Sequence, residues 1–251
     1  MKRYLLALLF IATTALGLDL STGRVDDSYI YSGVPDNNYG GNSEIVLSGA
    51  RSGLIRLDST WVDSVGTGQT IDSMIIHLWA TSVPTAGSFY AYGVWKPNWV
   101  EGTGTASAPT TTGVSYNDWN GPDYEWGTAG CANAGAVGTA TFNNTDAGGY
   151  DREAAGYDSL AVTTVSTWNI FYVRPSYAQA AYDGHQAVTI LLSQATTGAA
   201  YSLASTENTQ TSWRPWVSVF YHTAEAPAEG TSATNQVNRP TATSNRGTVT
   251  R

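Results

Sequence analysis

The chain has 251 residues, with twelve basic and twenty acidic side chains and a formal net charge of −8. Only 13% of its residues are charged, about half the roughly 25% usual in globular proteins, while 42% are hydrophobic. So little positive charge leaves no basic face, which excludes nucleic acid and anionic membranes as partners and disfavours polyanionic glycans.

The N-terminus opens with Lys2 and Arg3, continues with an apolar run over 5–12 and reaches the small-x-small triplet Ala15-Leu16-Gly17. This is the pattern of a secretory signal peptide over 1–17, followed by a short lead over 18–24. The apolar run is too short to span a bilayer, so no membrane span is expected in the mature chain. Its removal shifts the net charge from −8 to −10 and leaves Lys96 as the last lysine. The expected location is extracellular or at the cell surface. Cys131 is the only cysteine. A lone thiol in such a protein is either buried as a small hydrophobe or paired between molecules.

Strand signals recur from residue 25 onward, each bounded by turn residues. Val25 to Ile30 reads as a strand and Pro35-Asp36-Asn37-Asn38-Tyr39-Gly40-Gly41 as a turn-rich loop. Residues 44–47 and 51–58 read as further strands. Met74, Ile76 and Leu78 alternate with Ile75, His77 and Trp79, and Tyr90, Tyr92 and Val94 with Phe89, Ala91, Gly93 and Trp95. A period of two sends alternate residues to opposite faces, and the aliphatic set is assigned to the core. Residues 100–158 form a Gly- and Ala-rich series of loops carrying Tyr116, Trp119, Tyr124, Trp126 and Phe142. Pro175 to Tyr182, with proline at a first helical position and Gly184 beyond its end, predicts one short helix. Val188, Ile190 and Leu192, then Val217, Val219 and Tyr221, give two more alternating strands. Residues 223–251 have no Leu, Ile, Met or aromatic side chain and read as a disordered tail or linker. The alternative is an extended arm added to a neighbour's sheet.

The order of these segments resembles the DNRLRE domain, an extracellular β-sandwich module related to carbohydrate-binding modules. The likeness rests on the strand, loop and strand pair over 25–58, the strand over 71–79, and Trp99-Val100-Glu101-Gly102-Thr103. It continues through Val114-Ser115-Tyr116-Asn117, the strand and short helix over 168–184, and the closing run from Arg214 to Tyr221. It spans 25–222. The chain departs from the pattern at Val173-Arg174-Pro175, where an acid-Val-Thr run is usual. The resemblance implies an all-β, jelly-roll-like antiparallel β-sandwich with one short helix and long loops. It implies a location outside the cell and leaves the ligand open.

No hydrolase elbow, zincin, phosphate-loop or cysteine metal motif is present. The acids of the middle loops supply no distinguished pair for glycoside hydrolysis, and one lysine makes a poor uronate clamp. Nine tryptophans and fifteen tyrosines exceed what one sandwich core needs. Given inward Met74, Ile76 and Leu78, parity turns Trp79 outward, and by the same rule Phe89, Trp95, Trp216 and Phe220. Those five are the candidate carbohydrate-binding residues. The competing reading is a second packed layer, with the loops over 100–158 covering that face. A structural calcium ion is the expected cofactor, with candidate oxygen ligands on Asp26, Asp27, Asp36 and Asn38. Asp36-Asn37-Asn38 is equally a plain turn. The reading is a secreted, non-catalytic module that binds extracellular polysaccharide. The second is a subunit that assembles with like subunits into a filament, sheath or surface layer, and a polysaccharide-degrading enzyme comes third.

Overall fold

The computed structural model describes residues 15–223 except 22, 85–86, 109–111, 137–141, 143–148, 157 and 195–198. The expected tail over 223–251 therefore lies outside the described residues except for Thr223, which ends the last strand, and the basic and apolar part of the expected signal peptide lies outside them too. The first strands are β1 Leu16–Leu20, β2 Val25–Tyr31, β3 Glu44–Leu47 and β4 Arg51–Leu57. After the one-turn helix α1 Trp61–Val65 come β5 Gln69–Ser82, β6 Gly87–Gly93, β7 Ala134–Gly135, β8 Arg152–Glu153, β9 Asp158–Val162 and β10 Trp168–Val173. Helix α2 Pro175–Asp183, then β11 Val188–Gln194, β12 Tyr201–Ala204 and β13 Trp216–Thr223 complete the chain.

Two antiparallel sheets face one another. In the six-stranded sheet β5 is the spine. β10 lies along one edge, and β13 and then β12 share the other, with β1 outside β13 and β3 outside β12. The five-stranded sheet runs β2-β4-β11-β6-β9. β7 and β8 make a small parallel pair beside it. The all-β sandwich expected from the strand pattern is what forms, with α1 as a second helix that the sequence did not signal.

Between the sheets, Met74, Ile76 and Leu78 of β5 and Val217 and Val219 of β13 join one buried cluster. Ile55 and Leu57 of β4, Ile190 and Leu192 of β11 and Trp61 of α1 belong to it too. α2 closes one end of this core. Pro175 opens it at a position that needs no N–H donor. The left-handed residue that follows the helix is His185 (φ 50°), one place past Gly184. Tyr177 reaches from α2 into the core, where its hydroxyl is 2.6 Å from the Val94 carbonyl and 3.0 Å from that of Thr189.

Tyr177 also explains a reversal of the expected parity on β6. Phe89 (0% exposed) and Trp95 (1%) point into the core, and Tyr90 and Tyr92 point away from it. The inner face of β6 reads Phe89, Ala91, Gly93. A Cβ added to Gly93 would lie 3.1 Å from the Tyr177 ring, so the strand keeps small residues where the helix leans on it. Trp95 lies past the end of β6, where strand alternation no longer governs direction.

A second hydrophobic layer sits outside the five-stranded sheet. Its floor is Ile30, Leu54 and Leu191, and its lid is Trp99, Val114, Trp119, Trp126 and Cys131 from the loops after β6. The covered-face alternative therefore applies to this sheet. Cys131 is fully buried within that lid, which decides between the two readings of the thiol. Asp151 holds the lid down: its carboxylate accepts the N–H groups of Gly127 (2.7 Å), Thr128 (3.0 Å) and Asn133 (3.0 Å). Among the described residues no helix is long and apolar enough to cross a membrane.

Candidate functional site

The uncovered face belongs to the six-stranded sheet. Register places Trp168 of β10 opposite Trp79 of β5, and His77 between Ile170 of β10 and Trp216 of β13. These side chains point away from the core because their neighbours at odd spacing, Leu78, Phe171 and Val217, fill it. Trp213, in the 3-10 turn Thr211–Trp213 just before β13, swings over the same face. Its ring stacks on Trp79 at 5.6 Å, and that of His77 stacks on Trp216 at 3.5 Å with 3° between the planes. Trp168 stands nearly perpendicular to its neighbours, at 75° to Trp79 and 82° to Trp216. Trp168 is 37% exposed, and Ile170 and Tyr172 extend the apolar row along β10. The result is a solvent-facing surface built from four of the nine tryptophans.

A short relay fixes its centre. Ser218 Oγ donates to Asp19 Oδ1 at 2.8 Å and so accepts from His77 Nε2–H at 3.2 Å. Burial holds the His77 ring below its ordinary pKa, with the Asp19 carboxylate opposing that shift. The order of the three groups matters. Serine lies between the acid and the imidazole, and its proton points to the acid, so nothing draws that proton toward the ring. The relay orients His77 against Trp216 and does not build a nucleophile.

Of the five aromatic candidates, Trp79 and Trp216 meet on this face. Phe220 lies four residues farther along β13, packed over Gly17 of β1. Phe89 and Trp95 are excluded by their burial. Trp168 and Trp213 belong to the face although parity on the three strands considered did not single them out. Trp168 alternates with buried Asn169, Phe171 and Val173, and that period was the available signal.

The oxygen ligands divide in a similar way. Asp26 and Asp27 are neighbours in β2 and so face opposite sides. Asp26 pairs outward with Arg56. Asp27 (1% exposed) points inward, and its carboxylate lies near those of Glu101 and Glu207, all within 4.8 Å of one another. Asp27 Oδ2 accepts from Thr206 N–H at 2.7 Å, and Glu101 Oε1 from Asp27 N–H at 3.0 Å. Burial, then the neighbouring Glu101, pushes the Asp27 carboxyl well up. Glu101 is pushed up to about 8, first by burial. Asp36 and Asn38 take no part in the cluster. Asp36 is exposed and accepts from Asn117 Nδ2, while the Asn38 amide is spent on backbone. Its Nδ2 donates to the carbonyls of Glu101 and Val114, and its Oδ1 accepts from Gly40 and Gly104. Buried Asp27, half-buried Glu101 and exposed Glu207 offer three hard oxygen donors that suit a divalent cation such as calcium, and without one burial favours the protonated forms of Asp27 and Glu101.

The other two histidines each have an acidic neighbour, Asp63 for His185 and Asp72 for His222. No protein-family model and no curated protein matches this chain.

Proposed function

We propose that this chain is a secreted, non-catalytic module that binds extracellular polysaccharide through the tryptophan face of its six-stranded sheet. The observation that carries the reading is the gathering of Trp79, Trp168, Trp213 and Trp216 on the solvent side of β5, β10 and β13. Pyranose rings present apolar C–H faces that pack on indole, and aromatic groups left facing water on a folded domain mark a binding surface. The motif order shared with DNRLRE domains supports the same class, as do the N-terminal export pattern and the low charge.

The carboxylate cluster supports a calcium site whose ligands are Asp27, Glu101 and Glu207, and Asp27 is the member retained from the sequence expectation. In this reading the ion ties β2 to the loops after β6 and β12. Its place is structural, away from the aromatic face. The non-catalytic assignment is supported by the His77–Ser218–Asp19 order and by Asp151, whose carboxylate is taken up by three backbone amides.

Affinity electrophoresis through gels containing a panel of neutral polysaccharides tests the reading. At least one glycan retards the wild-type chain, and a Trp168→Ala/Trp216→Ala variant with an unchanged thermal midpoint migrates freely. Retardation by none of them, or equal retardation of the variant, overturns the proposal.

A further inference from the structure

A second site lies on the opposite sheet, and it does not depend on the tryptophan face. Where the loop layer stops short of the outer end of the five-stranded sheet, a cavity of about 210 Å³ remains open. Ser52 of β4 and Ser193 of β11 form its floor, with Tyr92 of β6 and Tyr116 as walls. Arg152 is the one charged residue that lines it. The cavity falls below the roughly 300–1,000 Å³ of pockets for drug-sized ligands, so it takes one ring or one pendant group.

Arg152 is held in place from several directions. Its backbone bridges Val94 and donates to the Asn133 carbonyl. Its Nε donates to the Cys131 carbonyl at 3.0 Å and its Nη1 to that of Glu153 at 2.8 Å. The guanidinium carbon sits 4.3 Å from the centroid of the Tyr92 ring. The turn that brings the Cys131 carbonyl to it needs two left-handed residues, Gly130 (φ 82°) and Cys131 (φ 57°). Gly130 has no room for a side chain, because a Cβ there would lie 2.6 Å from the Tyr116 ring. The tyrosine wall and the arginine are thus set by one turn.

What the guanidinium lacks among the described residues is an acid. Arg56 pairs with Asp26 and Arg174 with Glu153, but no carboxylate reaches Arg152 among the described residues. Its Nη2 has no protein acceptor there. In a chain with a net charge of −8 this is a conspicuous place to find a preorganised and unneutralised cation. A planar fork with free N–H groups, flanked by serine hydroxyls and stacked on tyrosine, matches an oxyanion borne on a hydroxylated ring.

We infer that the Arg152 pocket binds a single oxyanion-bearing sugar unit, the anionic group on Arg152 and the ring between Tyr92 and Tyr116. One cation in a small pocket reads one charged unit at a chain end or branch, which is compatible with weak affinity for polyanions as a class. The group is a carboxylate or a sulfate ester, and the probes separate these sources.

The test is an NMR titration of the ¹⁵N-labelled protein with glucuronate, glucose 6-sulfate, glucose and inorganic sulfate, following Arg152 Nε–H and the amides of Gly130 and Ala132. Glucuronate, glucose 6-sulfate or both shift these signals saturably, more weakly as salt rises. Arg152→Gln lowers the affinity by about tenfold or more, in line with the loss of a charge-assisted bond. Ser193→Val, which fills the cavity floor and leaves Arg152 untouched, abolishes binding with an unchanged thermal midpoint and keeps the inference testable if Arg152→Gln unfolds the turn. Three outcomes overturn the inference: no response to either charged sugar, an equal response to glucose, or an equal response to inorganic sulfate alone.

Discussion

At position 27 a carboxylate occupies an inward site on a strand whose other inward residues include Val25 and Tyr29. Glu101 and Glu207 add to the cost of ionising it. Glu101 titrates at about 8 in the folded chain and near 4.5 in its ordinary state. Between these values the unfolded chain has released a proton that the folded chain keeps. Stability therefore falls as pH rises through this window, and the loss is complete above about 8. Asp27 is shifted in the same direction. Calcium bound at the proposed site would reverse the trend, because it would require the deprotonated cluster. In chelator, the thermal midpoint should drop between pH 5 and pH 8. At calcium a hundredfold above its Kd, the midpoint at pH 8 should rise by about 5–10 °C. Asp27→Asn should flatten both responses. A midpoint in chelator that climbs with pH, or is indifferent to calcium at pH 8, contradicts the cluster's role.

The elements were legible to different depths. The aliphatic alternation of β5, β11 and β13 was readable because each is paired on both edges and turns its aliphatic set into the core between the sheets. The helix over 175–183 announced itself by its proline and its run of alanines. β6 misled, because its inward side is set by what α2 brings to it. Phe89 fills the core there, while Ala91 and Gly93 leave space for Tyr177, and tyrosines on the other side look equally apolar. Small residues facing a helix carry no hydrophobic signal, although glycine inside a strand was a hint of close approach. The Tyr177 hydroxyl links α2 to β11 and to the end of β6. Tyr177→Phe should leave buried backbone groups without their partner and cost about 1–3 kcal/mol in urea unfolding. A change below a few tenths would make the hydroxyl dispensable. The N-terminal strand carries a further consequence. β1 pairs with β13 from Leu16 to Leu20, so cleavage after Gly17 would remove two of its five pairs. If the chain is exported as proposed, mass spectrometry of the mature chain should find Leu16, not Leu18, at its start.

For the whole molecule, the sandwich class followed from strand spacing, but the division of its two outer faces did not. That division depends on side-chain bonds to distant backbone, such as Asn38 to Glu101 and Val114 and Asp151 to the 127–133 turn. Such bonds have no period in sequence. They lay a lid over one sheet and leave the other sheet's tryptophans in water. The same distribution favours a binding module over a self-assembling subunit, and size-exclusion chromatography should return a monodisperse monomer. Polymers dissociated by deleting 223–251 would favour assembly.

Indole N–H signals offer the most direct test, since the chain contains its own controls. Trp61, Trp95, Trp99, Trp119 and Trp126 are buried, whereas Trp79, Trp168, Trp213 and Trp216 share the uncovered face. On titration with oligosaccharides of a retarding glycan, the second set should shift together and saturably while the first stays fixed. Shifts confined to the buried set, or none in either set, would contradict recognition by this sheet.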